Sequence, residues 1–233
     1  MKNLTPSPCP AVGLVIMHIE VVYDFLCPWC LIAKRQLAAA LEQEGDAGVT
    51  ISWHQFMLYP DFDRAGHDFL AVFRARYGEA LQVPMWERVR SVGAPLGINF
   101  AFEKITRGPA SIDGHRLVRW AERQRPGSAS ALIEDIARSF YERAAIIDLA
   151  FLVRTAAAHG FDPQAALAHL ASDADLVEPF AETAEWRRRG VTAMPHFRLH
   201  FADGHMETLT TTSTQAFIEA LRRDRALLAV TGS

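Results

Sequence analysis

The chain has 233 residues, 50% of them hydrophobic, enough to build one large domain or two small ones around a sizeable core. Its net charge of −3, with acidic and basic residues interspersed, offers no basic patch for nucleic acid or an anionic membrane surface. Three cysteines do not make a secreted disulfide framework, and no stretch reaches membrane-spanning length.

Residues 1–13 carry Pro6, Pro8 and Pro10 and read as a flexible leader. Lys2 is its only early charge, so the layout is not that of a secretory signal, and the chain is expected in the cytoplasm. Residues 14–25 are β-branched and apolar and read as a strand. Met17, Ile19, Val21 and Tyr23 form one face, His18, Glu20, Val22 and Asp24 the other. A helix is expected over 28–44, stopped by Gly45, with Cys30, Ala33, Leu37 and Leu41 on one side. Residues 49–56 form a second strand. Strand, helix, strand with short joins is a βαβ unit with a parallel pair and a right-handed crossover.

From about residue 66 to 170 the signals are almost only helical. Phe69, Phe73 and Tyr77 recur at helical spacing over 68–77; a helix over 84–92 follows, then an extended piece at 99–102. Helices are expected over 112–124, 128–144 and 149–159, and Asp162-Pro163, a cap followed by a first-turn proline, opens one to residue 170. A helix over 175–189 closes with three arginines and Gly190; Pro179 lies in its first turns or kinks it, and Phe180 and Trp186 read as core. Strand character returns over 196–201 and 205–209 about an Asp203-Gly204 turn, and a helix capped by Ser213 or Thr214 runs to about residue 228.

Chemistry concentrates at Cys27-Pro28-Trp29-Cys30, where the first strand meets the first helix. A cysteine at a helix N-cap lies over unpaired backbone N–H groups and the positive end of the helix dipole, which favour thiolate over thiol. Pro28 suits the first helical position, where a missing N–H costs nothing. Cys30 is one turn further in, able to reach the first sulfur and expected to be the less exposed and less acidic thiol. Reversible dithiol–disulfide chemistry is the reading. A zinc site is the alternative, disfavoured because there is no second C-x-x-C; it would join Cys9, otherwise an incidental thiol, to Cys27, Cys30 and a histidine. Trp29 offers an apolar landing surface for substrate beside Pro28. Asp24, three residues before Cys27, reads either as a buried proton relay for the resolving thiol or as a strand-end carboxylate bonded to a loop N–H. Pro195, at a strand's entry, is cis, presenting the Met194 backbone to substrate, or an ordinary trans proline. His196 either tunes the thiolate or simply faces its neighbours. The other histidines lack metal-ligand spacing.

The layout, together with Cys27-Pro28-Trp29-Cys30, Asp24-Phe25-Leu26, Lys34-Arg35 and the run Gly190-Val191-Thr192-Ala193-Met194-Pro195-His196-Phe197, resembles the DsbA-like branch of the thioredoxin superfamily. Its FrnE-type members, some described as 2-hydroxychromene-2-carboxylate isomerases, are the nearest in pattern. The resemblance covers nearly the whole chain. It implies an α/β thioredoxin fold (βαβ…ββα) built from residues 14–62 and 172–233, with an α-helical domain, 63–171, inserted. It also implies that Cys27 is the attacking thiol, Cys30 the resolving thiol and Pro195 a cis-proline beside them, with Pro28, Trp29 and Met194 contacting substrate. Two segments depart from the FrnE pattern, 111–116 (Ser-Ile-Asp-Gly-His-Arg) and 210–213 (Thr-Thr-Thr-Ser), both in regions expected to shape the substrate site. The function implied is a DsbA-like disulfide oxidoreductase acting on protein or small-molecule disulfides or dithiols. It would use no metal and no cofactor beyond glutathione as a redox partner, and nothing in the composition sets an oligomeric state. A glutathione-dependent isomerase or transferase, of the hydroxychromene-carboxylate isomerase or kappa type, is the runner-up; those enzymes carry serine where Cys27 stands. A chaperone-like or zinc-binding module is the third class.

Overall fold

The computed structural model describes residues 17–210 and 212–231; the leader, Cys9 and the first three residues of the expected strand lie outside them. Strand β1 (Met17–Tyr23), helix α1 (Pro28–Glu44) and strand β2 (Val49–Gln55) form the opening unit, the strands pairing in parallel from Met17 with Val49 to Tyr23 with Gln55. Next come β3 (His67–Asp68), α2 (Phe69–Tyr77), α3 (Glu79–Gly93) and β4 (Arg107–Gly108), the two short strands pairing with each other. Four helices follow: α4 (Ile112–Gln124), α5 (Ala129–Arg143), α6 (Leu149–Ala158) and α7 (Pro163–Ala171). The chain ends with α8 (Glu178–Arg188), β5 (His196–His200), β6 (Met206–Leu209) and α9 (Thr214–Thr231). The main sheet has the order β2-β1-β5-β6, with β5 antiparallel to β1 and to β6. Among the described residues no helix is long and apolar enough to cross a membrane.

Alternation along β1 explains the layering. Met17, Ile19 and Val21 point with Phe197 and Leu199 into a core closed by Ala33 and Leu37 of α1 and Phe217 and Leu221 of α9. The opposite face is polar at its open end, where Glu20 accepts a hydrogen bond from His200 at 2.7 Å and faces Arg198 at 3.3 Å. At the other end α8 covers Val22 with Trp186, so β1 finishes buried on both sides. That buried end leads into the cysteines. Tyr23, Phe25, Cys27 and Cys30 share one apolar cluster with Leu117, Leu132, Leu152 and Leu170 of the central helices. Arg116, fully buried, ties α4 to the end of α7: its guanidinium donates to the carbonyls of His169, Leu170, Ser172 and Ala174 at 2.6–3.0 Å and to Asp113 at 2.8 Å. A cation over the last carbonyls of a helix satisfies groups that would otherwise be buried unpaired.

Several expectations need correction. α3 begins at Glu79, five residues before Pro84, which therefore sits inside the helix without the N–H that would reach the Ala80 carbonyl. Gly78, at φ 79°, ends α2 and starts α3 in one residue, so the two helices run on with no linker. The extended piece expected over 99–102 stops before Phe102, where a 3₁₀ turn occupies Phe102–Lys104, and strand pairing comes only further on, at Arg107–Gly108. α8 starts three residues late, with Pro179 in its first turn, and Phe180 is 42% exposed rather than core, whereas Trp186 is buried.

Candidate active site

β1 ends at Tyr23, and three residues turn the chain into α1, where Cys27 is the N-cap at φ −105° and ψ 107°. Pro28 occupies the first helical position. The Cys27 side chain caps no backbone N–H; its thiol donates instead to the Met194 carbonyl at 3.6 Å. The Met194–Pro195 peptide bond is cis. Cys30 lies one turn further in, its N–H on the Cys27 carbonyl at 3.0 Å. Both thiols are free and buried, Cys27 6% and Cys30 8% exposed, so the expected difference in exposure does not exist. Trp29, half-buried, and Trp86 and Tyr141, both buried, wall the cavity that Cys27 lines. The Met194 carbonyl, expected to be open to substrate, is taken by the Cys27 thiol.

The expected difference in acidity has a physical basis on the Cys30 side. Burial pushes the Cys30 thiol well above the ordinary cysteine value. Its hydrogen bond to Cys27 and the charge of Cys27 push the same way, while a hydrogen bond with the Asp24 backbone pulls against them. Cys30 is therefore a thiol, not a thiolate, while Cys27 is free.

Asp24 is fully buried, and both its oxygens are used: one accepts the Leu26 N–H at 3.0 Å, the other the Leu58 N–H at 2.7 Å. That is the bonded strand-end carboxylate, with the added feature that its charge acts on Cys30. His115 of α4, which sequence reasoning did not single out, comes within 3.7 Å of the Asp24 carboxylate and is wedged between Tyr23 and Phe25, ring centres 5.2 and 4.9 Å away. Gly114 allows that approach: a Cβ there would lie 2.9 Å from the Phe25 ring. His196 sits on the other face of the sheet beside Trp186 and is not in the wall of the Cys27 cavity; burial, then Arg198, lowers its pKa against the pull of Glu20.

Cys27 opens onto a cavity of about 280 Å³. One wall is Leu26, Pro28, Trp29 and Met194; the other is Phe69, Phe73 and Tyr77 of α2 with Met85 and Trp86 of α3. Tyr59 closes one end, its hydroxyl 3.1 Å from that of Tyr77, and burial, then this bond, raises the Tyr59 phenol so that it stays protonated. Tyr141 is raised too, by burial and then by the charge of Cys27. The α2 aromatics were visible as a helical stripe, but nothing in the sequence set them facing a cavity. Among the described residues no three His, Cys, Asp or Glu form a set able to hold a metal ion.

A parallel βαβ unit continued by an antiparallel hairpin and a helix, with Cys-x-x-Cys at the first helix N-terminus and a cis-proline beside it, defines a thioredoxin fold. The chain belongs to the family of the DSBA-like thioredoxin domain, whose model matches residues 18–222. No curated protein matches it. Among solved structures, it is similar to the probable DsbA oxidoreductase of Streptomyces coelicolor, at 24% identity over 90% of each chain with a TM-score of 0.78. It is also similar to the cytosolic disulfide reductase DsbM of Pseudomonas aeruginosa, at 23% identity over 92% of this chain and 98% of that one (TM-score 0.59), a protein also solved with GSH. A 2-hydroxychromene-2-carboxylate isomerase shares the fold at 16% identity over 92% of this chain and 97% of that one (TM-score 0.60).

Proposed function

We propose that this protein is a thiol–disulfide oxidoreductase working through a Cys27–Cys30 dithiol–disulfide couple. Cys27 attacks a substrate disulfide, one sulfur leaves as thiolate, and the resulting mixed disulfide is resolved when Cys30 attacks Cys27; run backwards, the same steps oxidise a substrate dithiol. The observation that carries the reading is the pair of free thiols at the N-terminus of α1, one helical turn apart, with Cys27 facing a cavity.

The influences on Cys30 support the order of attack. Burial is the largest, but two of those that keep it protonated come from Cys27, and both weaken once Cys27 is bonded to substrate sulfur. Forming the mixed disulfide thus favours the thiolate that breaks it. Asp24, whose charge acts on Cys30 from within the sheet, is the group we propose to influence that proton. Pro28, Trp29 and Met194 line the cavity with Cys27 and would contact substrate, with Pro195 following Met194 in the cis peptide. We take the compartment to be the cytoplasm, in keeping with the cysteine usage and with DsbM being described as cytosolic. Glutathione would serve as redox partner, as the DsbM structure with GSH suggests by analogy.

The test is equilibration in glutathione buffers of graded ratio, followed by acid quench, thiol labelling and peptide mapping. A two-electron transition forming the Cys27–Cys30 disulfide, absent from Cys27→Ser and Cys30→Ser variants, is the expected result. No Cys27–Cys30 disulfide at any ratio would overturn the proposal.

A further inference from the structure

We infer that the cavity beside Cys27 takes a small aromatic disulfide or thiol carrying an anionic group, rather than a cysteine of a folded protein; this deepens the dithiol reading and rests on it.

Three observations converge. The sulfur is recessed: Cys27 is 6% exposed at the edge of a cavity of about 280 Å³, near the lower end of small-molecule pockets at roughly 300–1,000 Å³. A substrate sulfur must enter that space, which a small molecule does readily and a disulfide held in a folded surface does not. The walls are flat and apolar, with Trp29, Phe73 and Trp86 in position to lie against a ring, as aromatic faces and edges do in offset or perpendicular contact.

The third observation is charge. No aspartate or glutamate lines the cavity, whereas Arg76 does, 4.5 Å from the ring centre of Tyr59; Arg88, outside the lining, lies 5.7 Å from the ring centre of Trp29, which belongs to it. Their neighbours on the same helices are neutralised, Arg74 facing Glu79 at 3.9 Å and Arg90 paired with Glu87 and Glu103. Among the described residues Arg76 and Arg88 have no carboxylate partner. In a chain of net charge −3, two cations without a carboxylate partner, each over a ring of the cavity wall, favour an anion there.

With an aryl disulfide the balance is simple. The Cys27 thiolate attacks one aryl sulfur, forming a Cys27–S bond and releasing one aryl thiolate. Cys30, giving its proton to solvent, then forms the Cys27–Cys30 bond and releases the second. Two electrons pass from the protein dithiol to the aryl disulfide.

The experiment mixes the reduced protein, in a Cys9→Ser background, with three disulfides. These are 5,5′-dithiobis(2-nitrobenzoate), aromatic and anionic; 4,4′-dithiodipyridine, aromatic and neutral; and cystamine, aliphatic and cationic. Each rate is divided by that of glutathione with the same disulfide. The aromatic anion is expected to give the highest normalised rate. Arg76→Gln with Arg88→Gln should lower it about three- to tenfold while changing the neutral aromatic rate less than about twofold, the size expected for partly exposed charge pairs. Added salt should slow the wild-type reaction with the anion alone, which keeps the test open if the double variant does not fold. Equal normalised rates for all three disulfides, an equal fall for the neutral one, or faster exchange with scrambled, disulfide-bonded ribonuclease would overturn the inference. Rapid reaction of Cys27 with the aromatic anion but no subsequent Cys27–Cys30 disulfide would instead overturn the dithiol reading and support the cavity's preference.

Discussion

The two helices that flank the cavity are held in opposite ways. α1, which carries the cysteines, buries seven residues, including Cys30, Leu31, Ile32, Ala33 and Leu37, between the sheet and the other helices. α2 buries none; Phe69, Phe73 and Tyr77 are half-buried, and its N-cap Asp68, accepting the Ala71 N–H at 2.8 Å, and the Gly78 joint hold its ends. The chemistry we propose therefore stands on a rigid element, while the surface proposed to meet substrate stands on a loosely anchored one. Exchange needs the two sulfurs fixed relative to each other, and substrate entry to a recessed sulfur needs a wall that can yield.

The sharpest break in that comparison is in chemistry. Cys27→Ser should reduce disulfide exchange on the order of a thousandfold or more, as loss of a nucleophile does, while Tyr77→Phe, on the opposite wall, should keep the turnover rate within roughly threefold. Stopped-flow disulfide reduction measures both. A similar collapse from Tyr77→Phe would mean that the α2 wall takes part in the chemistry.

Stability should divide the same way. Leu37→Ala in α1, at a site 2% exposed, is expected to cost about 2–5 kcal/mol of unfolding free energy by leaving a cavity. Phe73→Ala in α2 should cost less, about 1–2 kcal/mol, because part of its ring is already in water. Urea unfolding of the two variants checks the order; equal losses would erase the distinction. Hydrogen exchange sharpens it further: amides of α2 should exchange well before those of α1 under native conditions, and matched protection would contradict the yielding wall.

What the sequence disclosed follows this division. The α1 side was legible because its signals are local: a strand running into Cys-Pro-x-Cys, a first-turn proline, Gly45 at the end. The Asp162-Pro163 cap likewise marked α7, and its carboxylate does accept the Gln164 N–H at 2.8 Å. The α2 side depends on contacts distant in sequence. A stripe at 69, 73 and 77 announces a helix face but not whether the face meets a core or a void. Asp24 left two readings open because its second partner, the Leu58 N–H, lies 34 residues away. β3 and β4, two residues each, are too short for alternation to register, and Pro84 suggested a helix start where the helix is already in its second turn.

The smallest expected effect is on pH dependence. His18, His67, His169 and His196 all have pKa values below the ordinary 6.5, with burial the largest cause in each. A folded state that binds these protons more weakly than the unfolded chain holds its full stability above 6.5 and loses it as pH falls below. Melting temperature should therefore be lower near pH 5.5 than near pH 7.5, by an amount shared between the walls, since His67 lines the α2 side and the other three lie elsewhere. A flat profile, or a rise on acidification, would refute the sign.

The order of attack is open to one direct measurement. The Cys30→Ser variant, mixed with 2-hydroxyethyl disulfide and quenched in acid, is analysed by intact mass and peptide mapping, which separates Cys27 from Cys9. A stable adduct of one mercaptoethanol on Cys27 is expected, with the matching Cys27→Ser variant remaining unmodified at Cys30. Modification of Cys30 in that second variant at a rate comparable to Cys27 in the first, or no adduct on Cys27 at all, would contradict the assignment of Cys27 as the attacking sulfur.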